Sequence, residues 1–244
     1  MSRNIVIGVP SARDVSVHTL ASLRALETPD GYGILECFFP SAVIWSARGS
    51  IVDQFLASPE NHYLFFCDSD MVVPPHALNS MLSRDADIVA GLCCRRTPPY
   101  RPVIMTGFEE EKGGVIQAIG WLPMTGAHPI WGSGLACSLI KRHVLEAIRK
   151  EFGPHIFWHH PLKNGDVLGE DVTFYLKANR LGFRTILDAD VHVGHLTEWP
   201  IYPADAKRWS EFDAASARAL RDKDREIAAL KEKLEAACAV PAQF

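Results

Sequence analysis

The chain has 244 residues, 48% hydrophobic and 22% charged, which suits one α/β domain with a full core and excludes a disordered or fibrous protein. A formal net charge of −4 removes any global basic field, so broad non-specific nucleic-acid binding is not expected, although a local basic groove is compatible with it. No apolar run reaches the roughly 20 residues of a membrane span, residues 1–9 lack the layout of a signal peptide, and six cysteines without paired spacing read as reduced thiols, so a cytoplasmic location is expected.

Asn4–Pro10 reads as a first buried strand, and Ser11 as a cap for a helix from about Val15 to Leu26. A Pro-Asp-Gly turn leads to a strand over Gly31–Phe39. Ile51, Val52, Phe55 and Leu56 have helical spacing within Ser46–Ala57. Tyr63–Phe66 is short, apolar and aromatic, the pattern of a buried strand. Pro74-Pro75 opens a helix over His76–Ser83, and Asp87–Gly91 is a further strand. The first hundred residues therefore alternate as a parallel, doubly wound half. Residues 95–130, rich in Pro, Gly and Thr, read as an excursion on the sheet's rim with strand-like pieces at Pro102–Met105 and Val115–Ile119. Leu135–Ile140 (strand), Arg142–Glu151 (helix), a loop over 153–169, a helix over Glu170–Leu181 and a strand over Phe183–Asp188 follow. The expected organisation is one α/β domain over residues 1–203, a mostly parallel Rossmann-like sheet flanked by helices, and a charged helical extension over 204–244. Leu220, Ile227 and Leu234 repeat every seven residues there, with Leu230 between them. This short seam over 204–237 either packs on the domain or joins two copies of the chain.

The chemistry concentrates at Cys67-Asp68-Ser69-Asp70. Two carboxylates at the carboxyl end of a buried strand sit where open α/β sheets bind ligands. Such hard oxygen donors suit Mn²⁺ or Mg²⁺ held together with a substrate diphosphate. An Asp-rich turn before the two prolines is the plain alternative. Five other segments stand out. Pro10, Ser11 and Arg13 follow the first strand without a Gly-x-Gly-x-x-Gly fingerprint. Arg48 opens a helix, where a cation gains nothing from the helix dipole but can reach a phosphate or a carboxylate. Trp131-Gly132-Ser133-Gly134 offers an aromatic face and close backbone approach. Glu170 and Asp171 start a helix and are candidates for a general base, or only an acidic first turn. His192 and His195 follow a late strand, and a histidine there is a candidate third metal ligand.

In order, Ile-Gly-Val-Pro, Ala-Arg-Gly, Phe-Cys-Asp-Ser-Asp-Met, Gly-Ser-Gly, Gly-Glu-Asp-Val-x-Phe and Gly-His-Leu resemble the GT-A glycosyltransferases. The match spans about residues 4–196 and lies near their family 2-like bacterial and bacteriophage branch. The resemblance implies a metal-dependent transferase that moves a sugar from a nucleoside-diphosphate sugar, UDP by analogy, to an acceptor hydroxyl. It implies Asp68, Asp70 and His195 as the metal ligands, with His192 the competitor of His195. It implies Pro10, Ser11 and Arg13 at the nucleoside, Arg48 over the donor, Asp68 and Ser69 beside it, and Trp131, Gly132, Ser133 and Gly134 around the donor sugar. Asp171, with Glu170 beside it, matches the base of inverting members, which tilts the expectation toward inversion over retention. The rim segment and the loop over 153–169 are where such enzymes shape the acceptor site. Arg95, Arg96, Tyr100 and Arg101, and His155, Trp158, His159 and His160, are basic and aromatic patches there. They suit an anionic acceptor such as a hydroxymethylated base in DNA, the alternatives being a glycan or a small molecule. Two other classes compete: a nucleotidyltransferase, which wants a glycine-rich loop after the first strand that this chain lacks, and a non-catalytic scaffold of the same fold.

Overall fold

A computed structural model describes residues 3–112, 114–118, 124–197, 200–205, 207–211, 213, 214 and 218. The first half runs β1 (Arg3–Ser11), α1 (Val17–Arg24), β2 (Tyr32–Pro40), α2 (Ile44–Leu56), β3 (Asn61–Cys67), β4 (Met71–Val72), α3 (Ala77–Ser83) and β5 (Ile88–Leu92). A rim follows: β6 (Ile104–Glu109), β7 (Val115–Ala118), β8 (Ala127–Ile130) and β9 (Gly132–Ser133). The chain then returns through β10 (Cys137–Lys141), α4 (Arg142–Phe152), β11 (His160–Pro161), β12 (Val167–Leu168), α5 (Glu170–Arg180), β13 (Thr185–His192), β14 (Gly194–Leu196) and β15 (Pro200–Ile201).

The central sheet has the order β2-β1-β3-β10-β5-β13-β8. β2, β1, β3, β5 and β13 run one way, while β10 and the edge strand β8 run against them. The sheet is therefore mostly parallel, as expected, but β10 is wedged antiparallel between β3 and β5. Alternation along each strand sends side chains to two cores, which is why the strands read as continuous apolar runs. Ile5, Ile7, Val9 and Phe65 pack on one face with Leu23, Leu78 and Met81 of α1 and α3. Val6, Leu64 and Phe66 pack on the other with Ile51 and Phe55 of α2, Val144 and Ile148 of α4, and Phe174 of α5. Each fully buried side chain of this size contributes about 1.5–3 kcal/mol. Gly8 lets α2 approach the sheet, since a Cβ there would lie 2.6 Å from Ile51.

Four boundaries differ from expectation. β1 extends through Ser11, so Ser16 caps α1 instead, accepting from the His18 amide at 3.2 Å. α2 begins at Ile44 from Val43, whose side chain offers no cap. With no capping residue to mark that start, the sequence signal for it is absent. Arg48 therefore sits in the second turn of α2. β13 runs on to His192, well past Asp188. The rim excursion forms a small sheet in the order β7-β6-β9, with β6 running to Glu109 rather than Met105, while β8 joins the edge of the central sheet. Cys67, Cys93, Cys94 and Cys137 are buried free thiols. No described helix is long and apolar enough to cross a membrane. Residues 203–205 and 207–211 are helical, but the seam residues Leu220, Ile227, Leu230 and Leu234 lie outside the described residues.

Candidate functional site

The Asp68-Ser69-Asp70 turn leaves β3 at the carboxyl edge of the parallel strands, and backbone bonds pin it from three sides. The Asp68 amide donates to Ala136 O at 3.0 Å, the Leu196 amide donates to Asp70 O at 2.8 Å, and Ser69 O accepts from the Ser16 amide and the Thr19 hydroxyl, both at 3.0 Å. The two carboxylates have different neighbours. Asp68 faces inward to Arg48, a guanidinium only 2% exposed, whose Nη2 donates to Asp68 Oδ1 at 2.8 Å. Arg48 also lies over the Phe66 ring at 5.1 Å and reaches within 3.9 Å of Glu170 Oε1 through its Nε, a buried atom with no hydrogen-bond partner among the described residues. Burial raises the Asp68 carboxyl above its usual value; Arg48 pulls it back and Asp70 adds to the rise.

Asp70 faces outward. The antiparallel pairing of β4 with β14 sets His195 opposite Met71, which brings the ring to Asp70. His195 Nε2 and Arg96 Nη1 each lie 3.3 Å from the same oxygen, Asp70 Oδ2. Burial pushes the Asp70 carboxyl up, but His195 and then Arg96 outweigh it and hold it below its usual value. Burial pushes His195 down, but Asp70 and the Cys94 carbonyl outweigh that and raise it. His195 Nδ1 donates to Cys94 O at 2.8 Å, which fixes the ring and turns Nε2 toward Asp70. Asp68, Asp70, Arg96, Gly134 and His195 line one cavity of about 240 Å³, floored by Met71, Cys93, Val103 and Ala136.

Asp70 and His195 suit a divalent cation: a carboxylate oxygen and an oriented imidazole converge, and the open side is large enough for oxygens of a diphosphate and water. Among the described residues no three His, Cys, Asp or Glu side chains are grouped so as to hold a metal ion; of the expected trio, Asp70 and His195 meet, while Asp68 Oδ1 is turned to Arg48. His192 is elsewhere; its Nε2 donates to Met124 O at 2.8 Å.

Glu170 and Asp171 form the first turn of α5, favoured there by the helix dipole. Arg48 ties this turn to the Asp68 strand end. Burial, then the neighbouring Glu170 charge, raises the Asp171 carboxyl, while its Oδ1 accepts from the Val172 amide at 2.7 Å. Gly169 and Val172, on either side of the pair, line a second cleft of about 540 Å³. Pro10 and Ser11 are buried at the carboxyl edge of β1, where Ser11 Oγ donates to Asp14 O at 3.4 Å, and Arg13 is exposed.

The Trp-Gly-Ser-Gly segment divides. Trp131 packs on Phe108 with ring centroids 5.3 Å apart, Gly132 lies where a Cβ would strike the Tyr175 ring at 2.6 Å, and Ser133 is buried and donates to Val103 O at 2.7 Å. Of the four, Gly134 alone lines the Asp70 cavity. Arg48 likewise is buried against Asp68 and Glu170 instead of standing open above the cavity. Arg96 is the residue that sequence reasoning left out of the site and placed in an acceptor patch. Its signal is position: it lies four residues past β5, at the same sheet edge as β3.

An open, mostly parallel sheet with helices on both faces and paired carboxylates leaving a central strand is the GT-A fold. Two solved structures are similar to the chain over most of its length. "Crystal Structure of A197 from STIV" has 19% sequence identity and a TM-score of 0.55, covering 83% of this chain and 91% of that one. "Crystal structure of GalNAc-T7 with UDP, GalNAc and Mn2+" has 12% identity and a TM-score of 0.53, covering 86% of this chain and 48% of that one, so this chain spans about half of its length. No protein-family model matches the sequence, and no curated protein matches it.

Proposed function

We propose that the chain is a metal-dependent glycosyltransferase that uses a nucleoside-diphosphate sugar, UDP-linked by analogy, and delivers the sugar to an acceptor hydroxyl. The observation that carries this reading is the convergence of Asp70 Oδ2, His195 Nε2 and Arg96 Nη1 within 3.3 Å in a cavity that Asp68 also lines. A Mn²⁺ or Mg²⁺ held by Asp70 and His195, with Asp68 at its edge, would neutralise the charge of a departing diphosphate. The chain's own residues do the rest. Arg48 holds Asp68 and Glu170 in register, so the donor edge and the α5 turn form one rigid unit. Arg96, on the oxygen that the cation needs, gives it up and becomes free to pair with phosphate. Asp171, with its carboxyl raised by burial, takes the acceptor proton at its free oxygen, which favours inversion. Pro10, Ser11, Arg13 and Ser69 line the nucleoside side, with Gly134 at the sugar.

Thermal shift with UDP, GDP, CDP and TDP, with and without Mn²⁺, tests the reading. One nucleotide should stabilise the protein only with Mn²⁺, and Asp70→Ala should remove that response. Stabilisation by none of them would sink it. Metal-dependent hydrolysis of the sugar nucleotide, without release of pyrophosphate, would separate it from a nucleotidyltransferase and from a scaffold. Exposed Arg95 and Arg101 beside Arg96 favour DNA as one acceptor, with a glycan or small molecule as the other. A low-salt gel shift unaffected by Arg95→Ala and Arg101→Ala would remove DNA.

A further inference from the structure

Helix α2 has two unlike faces. Arg48, Ile51, Val52 and Phe55 point into the protein. Trp45, Ser46, Gly49, Ser50 and Asp53 fall on the opposite arc and floor a separate pocket of about 220 Å³. Its far wall comes from the loop after α4 and includes His155 and Trp158. The Trp45 and Trp158 rings meet at 4.8 Å with 52° between their planes, and the His155 ring lies 5.5 Å from Trp158, tilted by 56°. The result is an aromatic corner, and Trp158 is 53% exposed within it.

Gly49 is the telling residue. Glycine inside a helix costs about 0.5–1 kcal/mol relative to alanine. At Gly8 and Gly132 packing explains the absence of a side chain, because a Cβ would lie 2.6 Å from a neighbour. At Gly49 a Cβ would meet nothing within 4 Å. No contact among the described residues explains it; what glycine provides is bare backbone on a pocket floor, as close approach of a ligand requires. The hydroxyls of Ser46 and Ser50 and the ring nitrogens of His155 have no partner among the described residues, so their hydrogen-bonding capacity is unspent. Asp53 pairs with Arg149, and the lining holds no lysine or arginine.

These features select a ligand class. The exposed face of Trp158 wants a flat apolar face against it, and the hydroxyls, imidazole and carboxylate want several neutral donors and acceptors on the ligand's edge. No lysine or arginine lines the pocket to receive a phosphate, and the nearby Arg149 guanidinium is already committed to Asp53. The volume falls below the roughly 300–1,000 Å³ of drug-sized sites, so one ring fits. We propose that this pocket binds a single neutral pyranose ring, its apolar face on Trp158 and its hydroxyls on Ser46, Ser50 and Asp53. The pocket is distinct from the Asp70 cavity, and the proposal stands without the transfer reading. Combined with it, the pocket would hold a sugar of a glycan acceptor.

The test is NMR of the tryptophan indole signals during titration with methyl α-glucoside, methyl β-galactoside and N-acetylglucosamine, each to millimolar levels, with thymidine as the nucleobase probe. At least one sugar should shift two indole signals, assigned to Trp45 and Trp158 by their loss in single substitutions. Gly49→Ala should raise Tm yet weaken that sugar by about tenfold or more. A response to thymidine alone, no response to any sugar, or an unchanged affinity in Gly49→Ala would each overturn the proposal. UDP with Mn²⁺, titrated into the same sample, separates the two readings: a sugar response without a UDP response would fail only the donor site.

Discussion

Asp68 and Asp70 stand one residue apart, yet they belong to two electrically different regions. The inner region is closed: Arg48, 2% exposed, is clamped between Asp68, Glu170 and the Phe66 ring. The outer region is open: Asp70 is held by Arg96, which is 61% exposed, and by a histidine whose other nitrogen is already committed. A buried pair that loses one partner strands a charge, whereas an exposed pair exchanges with solvent. The inner region is thus built to stay and the outer one to be replaced by a ligand.

The largest expected effect breaks the inner region. Arg48→Ala should cost about 3 kcal/mol, the lower end for a broken buried pair because Asp68 and Glu170 retain some solvent contact. Urea unfolding would show it, and a loss under about 1 kcal/mol would mean the two regions do not differ. Asp171→Asn should leave Mn²⁺-dependent nucleotide binding intact and lower turnover by about 10²–10⁴. Full turnover in that variant would move the reading to a retaining mechanism.

How much of this was legible in the sequence follows the same division. The strand end at Asp68 is readable because four apolar residues precede it and a strand of that length must end near there. The Glu170-Asp171 turn is readable because acids gather at helix starts. His195 came through the resemblance to GT-A enzymes, and the pairing of β14 with β4 that delivers it is long-range. The start of α2 carries no capping residue, and the antiparallel course of β10 carries no local signature at all. Trp131 and Ser133 pack within the fold and do not line the Asp70 cavity, and aromatic and Gly-Ser-Gly patterns serve packing as readily as binding.

A smaller effect is expected in the pH profile. Because burial raises the Asp171 carboxyl, its ionised, basic form is lost on acidification at a higher pH than for an ordinary carboxylate. The acidic limb of kcat should therefore lie above 3.8, the ordinary value for an aspartate. A limb at or below that value would contradict the assignment. The smallest effect probes the outer region. Arg96→Ala should change stability by no more than about 0.5 kcal/mol. In fluorescence titrations it should tighten Mn²⁺ binding to the nucleotide-free protein while weakening UDP once Mn²⁺ is present. A fall in both affinities would show that Arg96 does not compete with the cation.

The antiparallel strand β10 also orders events at the ribosome. β3 and β5 are synthesised well before Cys137–Lys141, the segment that lies between them in the finished sheet. At about 5–20 residues per second, the nascent chain spends several seconds with a row of backbone donors and acceptors open on each strand. Those open edges are templates for another chain. A truncation that stops before Cys137 would keep both edges exposed and should aggregate, whereas the full chain closes them in one step.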